Sequence, residues 1–509
     1  MLIDEVYNKI DTWVSEILGT RHAPKIRDFK VFRDPIHDFI QLYPHEVAII
    51  DSPVFQRLRR IRQNALAYFV YPGMHHTRFE HSLGVVHVAE LMLNALEKHN
   101  RTEITLRTRA VVRLAALLHD IGHVFFSHLG ETLLEEKHGE LFADLANEAV
   151  DDTPHLFQDI DIAEILSYLI TTSPSFVRYF KEALSRNPGR KGVYLTTIEP
   201  TEVAHVIIGK VRDEQDQFKA DIVHGGMDAD KIDYFMRDCH YSGIRAEVDA
   251  SRLINTMAIL SYSDWPKTLT VSGTALHHLE QILITKLILY TSIYHHHKVR
   301  ASEAAVRTIF RRLEELGGGL RHRPLEFAEF TDFLRIDDAR FFVWAAQEDG
   351  LKGVVEQVTG RELLKRSLVL CRQSVHLASR RKFLSFAFPG GTPPRSMRLI
   401  EQEIYDSIHE SSKVDRDWLV LDFPSLPDAD KEAAQTFIQA KKNVQPEVLK
   451  DLLPTDDWLR SYAVNKYRAH VFYVSDEKKR RAAADAAESI LKQRGIKLTP
   501  LARDFAHLG

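Results

Sequence analysis

Four successive stretches, residues 44–70, 79–99, 105–121 and 128–149, repeat apolar side chains at intervals of three and four, with Gly, Pro or Asn between them. A chain spaced in this way buries helix faces against one another, so the expected fold is mainly α. The first 30 residues read as one amphipathic helix. The following "FKVFRDPIHDFIQL" sets β-branched and aromatic residues about Asp34 and Pro35, which marks a short strand pair. A further helical block is expected over roughly 229–316. The basic "SRNPGRKGVY" at 185–194 reads as a loop, and "LEELGGGLRHRPLEF" at 313–327 as the main boundary between domains. Beyond residue 328, helices mix with β-like runs such as "SLVLC" and "HVFYVS", while "SDEKKRRAAADAAESILKQRG" reads as a charged, Ala-rich surface helix.

At 509 residues the chain is long enough for a large helical domain with one or two further lobes and a deep cleft. Hydrophobic residues at 44 % and charged residues at 27 % are ordinary for a folded globular protein. The opening "MLIDEVYNKIDTW" carries acids where a signal peptide is basic and then apolar, and "ILITKLILYTSIY" is interrupted by Lys286, so no membrane partner is expected. Cys239 and Cys371 are the whole cysteine complement, which excludes a disulfide framework and fits a reducing, cytoplasmic setting. A net charge of −4 gives no global drive toward nucleic acid, which is therefore not the favoured partner. Histidine, with 26 copies, stands well above ordinary usage and directs attention to metal or proton chemistry.

The apolar run in "VVRLAALLHDIGHVFFSH" ends abruptly at His119 and Asp120, with His123 one turn on from His119. An imidazole nitrogen beside a carboxylate oxygen suits a divalent ion such as Fe, Mn, Zn or Mg, and the lack of thiolates argues against a closed structural zinc site. A lone His-Asp pair is more often structural. Here His81 on the upstream helix, and Asp228, Asp230, Asp233 and Asp238 in "MDADKIDYFMRD", supply further donors. Asp230 and Asp233 share a helix face, so not every acid can be a ligand. In "YHHHK", three consecutive histidines point in three directions and read as no site of their own, and His75, His76 and His87 read as neighbours or surface groups.

The set of His81, His119 with Asp120, and Asp230 resembles the signature of the HD metal-dependent phosphohydrolases. "DPIHDFIQL", "DSPVFQRLRRIRQ", "YPGMHHTRFEHSLGV", "LLHDIGHVFFSHLGE" and "DADKIDYFMRDCHYSGI" resemble, more closely, the deoxynucleoside triphosphate triphosphohydrolases, the family of the dGTPases and the sterile-alpha-motif/HD enzymes. The likeness covers about residues 30–300; beyond 330 it is diffuse, at "DFLRIDDARF". It implies an N-terminal helix over 1–30, an HD catalytic domain over 31–318, and a mixed α/β lobe over 319–509 for oligomerisation or regulation.

By the same resemblance, His81, His119, Asp120 and Asp230 hold one divalent metal per catalytic site, with additional Mg arriving on the nucleotide. Arg78 and His123 serve the α-phosphate, and His128 is the acid for the leaving 5′-oxygen, oriented by Glu131 and His138. Glu131 stands where the family usually has Asp, which keeps the charge on a longer arm. Lys231, Tyr234 and Lys286 correspond to phosphate contacts, Lys286 replacing an arginine fork with a point charge. Asp238 corresponds to an acceptor for the sugar 3′-hydroxyl, and Gln63, Asn64 and Tyr294 to the deoxyribose wall, with Asn64 in place of leucine. Lys30, Asp51, Gln56 and Arg59 match an activating guanine-nucleotide site, and Asp249 with Arg252 an adjoining dNTP site. Such sites between subunits imply a homo-oligomer, a tetramer by resemblance.

The activity implied is metal-dependent hydrolysis of dNTPs to deoxynucleoside and tripolyphosphate. Two alternatives stand beside it: an HD phosphodiesterase or nuclease acting on RNA, DNA or cyclic nucleotides, and a regulatory protein that binds nucleotides without turnover. A nuclease wants a continuous basic, aromatic-lined groove, whereas the basic runs at 183–191, 377–382 and 478–481 are scattered.

Overall fold

The N-terminal periodicity forms the Leu2–Leu18 helix, which buries Ile3, Val6, Ile10, Trp13, Val14 and Leu18. It is shorter than the sequence suggests, because Gly19 takes φ +55°, a left-handed conformation that stops a helix at little cost. The computed structural model describes residues 2–508 apart from 101–103, 151–152, 189–191, 247–248, 261–265, 388–393, 415, 425–428, 440–444 and 454. Part of the basic loop expected at 185–194 therefore lies outside the described residues. The strand pair is present as an antiparallel hairpin, Lys30–Asp34 with Asp38–Leu42, in which Phe32 faces Ile40.

Helices dominate, and the fold is mainly α. The Arg78–Asn100 helix runs through the middle, packed between Leu106–Leu118 and Ala229–Ser242. Leu106–Leu118 is buried nearly all round, which accounts for its continuous apolar sequence. One charge in it, Arg113, is buried but forms a bidentate pair with Glu46 at 2.7 Å to each oxygen, which satisfies both groups.

The block 229–316 is not uniformly helical. Ala229–Ser242 and Ala250–Asn255 are followed by strands Met257–Leu260 and Thr268–Ser272, paired antiparallel, before helices resume at Leu276–Leu289 and His297–Leu316. "TLTVS" has the β-branched alternation of a strand, and a distant segment completes its pairing: Phe437–Gln439 lies parallel to Thr268–Ser272, with Glu447–Val448 beyond it. A single π-turn, Tyr290–Tyr294, separates the last two helices of the block.

The main core does not break at the 317–319 glycines. It continues through Phe327, Phe333, Phe341 and Val358, and takes in Ile438 and Leu459. A second core gathers residues 368–508 around a three-stranded sheet of Lys365–Leu370, Ala469–Tyr473 and Val420–Asp422. The Glu477–Gln493 helix covers that sheet with Ala483, Ala484, Ala487 and Leu491, so its alanines form a buried face opposite the charged one. Among the described residues, no helix is long and apolar enough to cross a membrane, and both cysteines are free and buried.

Candidate functional site

Three elements meet at the centre of the main core. His81 lies in the first turn of the Arg78–Asn100 helix, and His119 caps the C-terminus of Leu106–Leu118. Asp230 lies in the first turn of Ala229–Ser242, whose N-cap is Asp228. One donor atom from each of His81, His119 and Asp230 falls within 4.8 Å of the others. His81 Nε2 is 2.8 Å from Asp230 Oδ1, and His119 Nε2 is 3.9 Å from the same oxygen. Asp120 adjoins the group, its Oδ1 3.2 Å from His119 Nε2 and its Oδ2 3.8 Å from His81 Nε2.

The outer nitrogens of both rings are engaged: His81 Nδ1 donates to Asp233 Oδ2 at 2.7 Å, and His119 Nδ1 donates to Ala116 O at 2.8 Å. This fixes the tautomer and turns each Nε2 lone pair into the common space. Both Nε2 atoms are buried and lack a partner in hydrogen-bonding geometry, despite the short approach of Asp230. Buried, unpaired acceptors facing carboxylates fit a divalent cation, and two neutral imidazoles with two carboxylates would hold it at low net charge. Burial disfavours a charged His81, yet Asp230, Asp233 and Asp120 raise its pKa to about 10, so these carboxylates favour a cation at this point.

Asp233 is the residue the sequence left without a role. Besides His81 it accepts from His37 Nε2 at 2.7 Å and from Arg237 Nε and Nη2 at 2.8 and 3.0 Å. Arg237 in turn reaches Asp34 Oδ2 at 3.0 Å on the hairpin. Burial would raise the Asp233 pKa, but Arg237 and the two histidines hold it well below the usual carboxylate range. The helices approach so closely here that a Cβ at position 84 would lie 1.9 Å from Asp233 Oδ1, so only glycine fits.

On one flank, Arg78 Nη1 donates to both oxygens of Asp120 at 3.0 and 3.2 Å, and its Nε donates to Ser127 Oγ at 3.0 Å. Its Nη2 is buried without a partner. His123 Nε2 is 2.8 Å from Asp120, while Glu131 joins His123 Nδ1 and, at 3.1 Å, His128 Nδ1. The His128 side chain is 79 % exposed, so its other nitrogen is open to solvent. Against burial, His123 and His128 hold Glu131 well below the usual carboxylate range. His138 does not join this relay; its Nε2 donates to Phe327 O at 3.0 Å, which ties the His128–Ala146 helix to the chain beyond the glycine run.

On the other flank, Asp238 accepts from Asn64 Nδ2 at 2.6 Å, from His76 Nε2 at 2.9 Å and from Tyr294 OH. Gln63 lies beside Asn64, and its Oε1 is buried without a partner. His76, read from sequence as a neighbour or surface group, is buried and stacks on Tyr241 with ring centroids 4.6 Å apart. Lys231 Nζ donates to Asp228 Oδ2 at 2.6 Å and Gly225 O at 2.8 Å. Lys286, 2.5 Å from Glu432 Oε1, is engaged by the C-terminal part of the chain. Tyr234 is half-buried, and desolvation of its hydroxyl pushes the pKa well above the ordinary value.

Lys30, Asp51, Gln56 and Arg59 collect at the surface: Lys30 Nζ is 3.9 Å from Asp51, and Arg59 Nε donates to Gln56 Oε1 at 2.8 Å. Asp249 caps the Ala250–Asn255 helix by accepting from the Arg252 N–H at 3.0 Å.

Residues 78–188 match the HD domain family, and residues 248–497 match the HD associated region. The chain is 28 % identical over 394 residues to the deoxynucleoside triphosphate triphosphohydrolase SAMHD1 of Gallus gallus, an alignment covering 74 % of this chain and 59 % of that protein. With SAMHD1 of Homo sapiens it shares 36 % identity over 238 residues, 44 % of this chain and 35 % of the relative. It thus spans less than two thirds of these relatives' length. With the uncharacterized protein YwfO of Bacillus subtilis it shares 26 % identity over 345 residues, 64 % of this chain and 69 % of that one. A solved structure of a hypothetical protein from Aquifex aeolicus shares the fold, with a TM-score of 0.56 at 23 % identity over 89 % of this chain and 99 % of the other.

Proposed function

Because this chain carries an HD domain joined to an HD-associated region, the arrangement of metal-dependent phosphohydrolases, we propose that it hydrolyses dNTPs to deoxynucleoside and tripolyphosphate. The observation that carries the reading is the pair of buried, unpartnered Nε2 atoms of His81 and His119 facing Asp230. Relatives that bear the name deoxynucleoside triphosphate triphosphohydrolase narrow the substrate class.

A divalent cation held by His81, His119, Asp120 and Asp230 would supply Lewis-acid polarisation of a phosphoryl oxygen and activation of an attacking water. The remaining work falls to the chain. Arg78, fixed by Ser127 and Asp120, directs its free Nη2 at an α-phosphate oxygen and stabilises charge there. Water attacks the α-phosphorus, and the bond from phosphorus to the 5′-oxygen breaks. His128, oriented through Nδ1 by Glu131, delivers the proton that the departing 5′-oxygen needs. Asp238 and Gln63 offer acceptors for sugar hydroxyls, while Tyr294 closes the deoxyribose wall. Asp230 and Asp238 stand eight residues apart on one helix, about 12 Å along its axis, so a single helix serves both ends of the substrate. Lys231, Tyr234 and Lys286 serve the outer phosphates. The surface set of Lys30, Asp51, Gln56 and Arg59, with Asp249 and Arg252, binds activating nucleotide between subunits of a homo-oligomer.

Anion-exchange separation of products, after incubation with each dNTP and rNTP singly and in pairs with Mn or Mg, tests the reading. Deoxynucleoside with intact tripolyphosphate is expected, with no turnover in a chelator. A nucleoside monophosphate, or no cleavage of any nucleotide, overturns it. Equal rates with single and paired nucleotides remove the activating site.

A further inference from the structure

The doublet Asp337 and Asp338 in "DFLRIDDARF" takes no part in the chemistry above, yet it reaches the catalytic loop. Asp338 begins the Asp338–Ala345 helix in the HD-associated region and is 1 % exposed. Its two carboxylate oxygens accept from backbone amides on two other segments: the Phe126 N–H donates to Oδ1 at 2.7 Å, and the Arg62 N–H donates to Oδ2 at 2.9 Å. Asp337 caps the same helix through the Arg340 N–H and binds Arg60 Nε at 2.7 Å.

The two amides flank a third link. Ser127 Oγ donates to Arg62 O at 2.7 Å and accepts from Arg78 Nε. Arg62 also bridges to Thr77, and Arg78 N donates to Ile61 O, so segment 60–62 and the start of the Arg78–Asn100 helix move as one. The loop between His123 and His128 is strained: Phe126 and Ser127 have φ of 56° and 50°, unfavourable for residues with a Cβ. Backbone in that state persists only where its surroundings over-determine it. Phe341 and Phe342 supply part of that restraint, each with its ring centroid 5.4 Å from the Phe126 ring. Asp338 supplies the only charged acceptor for the loop's backbone among the described residues, and burial of its carboxyl raises its pKa to about 6, below neutrality.

From this geometry we infer that Asp338 is a positioning residue: a carboxylate from the HD-associated region that fixes the Phe126 and Ser127 turn against Arg62 and thereby aims Arg78 at the substrate phosphate. The inference rests on the reading of Arg78 as a phosphate-binding group. It makes the associated region a mechanical part of the catalytic centre.

Asp338→Asn has nearly the same shape but turns one acceptor into a donor facing an N–H, so one amide is left unpaired. Ser127→Ala breaks the downstream link without disturbing the buried carboxylate and serves where Asp338→Asn does not fold. Turnover is measured per folded, metal-loaded molecule on dNTPs and on bis(4-nitrophenyl) phosphate, together with binding of inorganic tripolyphosphate to the manganese-loaded protein. Each variant is expected to lose about tenfold to a hundredfold in turnover, with manganese affinity within about twofold of wild type. The double variant is expected to lose no more than the worse single one, since both act through Arg78. Turnover within about twofold of wild type, multiplicative losses in the double variant, or activity that falls only with bound manganese would overturn the inference. A wild type inert toward all dNTPs overturns the nucleotide reading instead; Asp338 is then judged on the diester and on tripolyphosphate binding.

Discussion

Asp233 and His81 form a pair in which the carboxylate sets the imidazole's orientation and basicity, so a metal held as proposed would depend on a residue that does not touch it. Asp233→Asn is expected to weaken divalent-cation binding by about tenfold to a hundredfold while the helix stays folded, as read by equilibrium dialysis with elemental analysis. Unaltered affinity would remove Asp233 from the metal site. The clustering of His81, His119 and Asp230, with Asp120 beside them, was legible in sequence because their residue types and order resemble the HD signature. Asp233 was not, since a carboxylate three residues from a ligand looks the same whether it binds metal or a ligand's back. His76 was missed for another reason: its partner Asp238 lies 162 positions away, and no local pattern marks a histidine that a distant acid will bury.

At the scale of elements, helix periodicity was read with its ends in error. The first helix stops at Gly19, and two strands interrupt the expected helical run, because Thr268–Ser272 acquires its strand partner only from Phe437–Gln439. The segment that supplies this strand also carries Glu432 onto Lys286, where a buried carboxylate occupies a cation assigned to phosphate. Under the proposed function a triphosphate would have to displace it. Glu432→Gln is expected to lower KM for dNTPs by roughly twofold to tenfold with kcat little changed, at some loss of thermal stability because Lys286 loses its counter-charge. Steady-state kinetics with a melting curve checks this, and a raised KM would instead make Glu432 a support for Lys286.

For the molecule as a whole, the 317–319 glycines have the look of a linker but end only one helix. Phe125 packs against Phe327, Phe333 and Phe341, all beyond that point, with ring centroids 5.2–5.8 Å away. A chain ended after residue 318 therefore strips the aromatic packing from the 123–128 loop. It is expected to lose a cooperative urea transition by circular dichroism, whereas a sigmoidal transition with intact metal binding would show residues 1–318 to be self-sufficient. Local composition signalled a boundary; the long-range return of apolar residues to the same core was invisible to it.

The parallel pairing of Thr268–Ser272 with Phe437–Gln439 also has a consequence in time. During synthesis the second strand is made about 165 residues after the first, a delay on the order of ten to thirty seconds at ordinary elongation rates. For that interval the earlier strand has an open edge and Lys286 lacks the counter-charge of Glu432, so the nascent chain is adhesive. Protection of that edge is thus tied to the ribosome's progress through the codons for residues 437–439, and until then the unfinished chain is the form most in need of a chaperone.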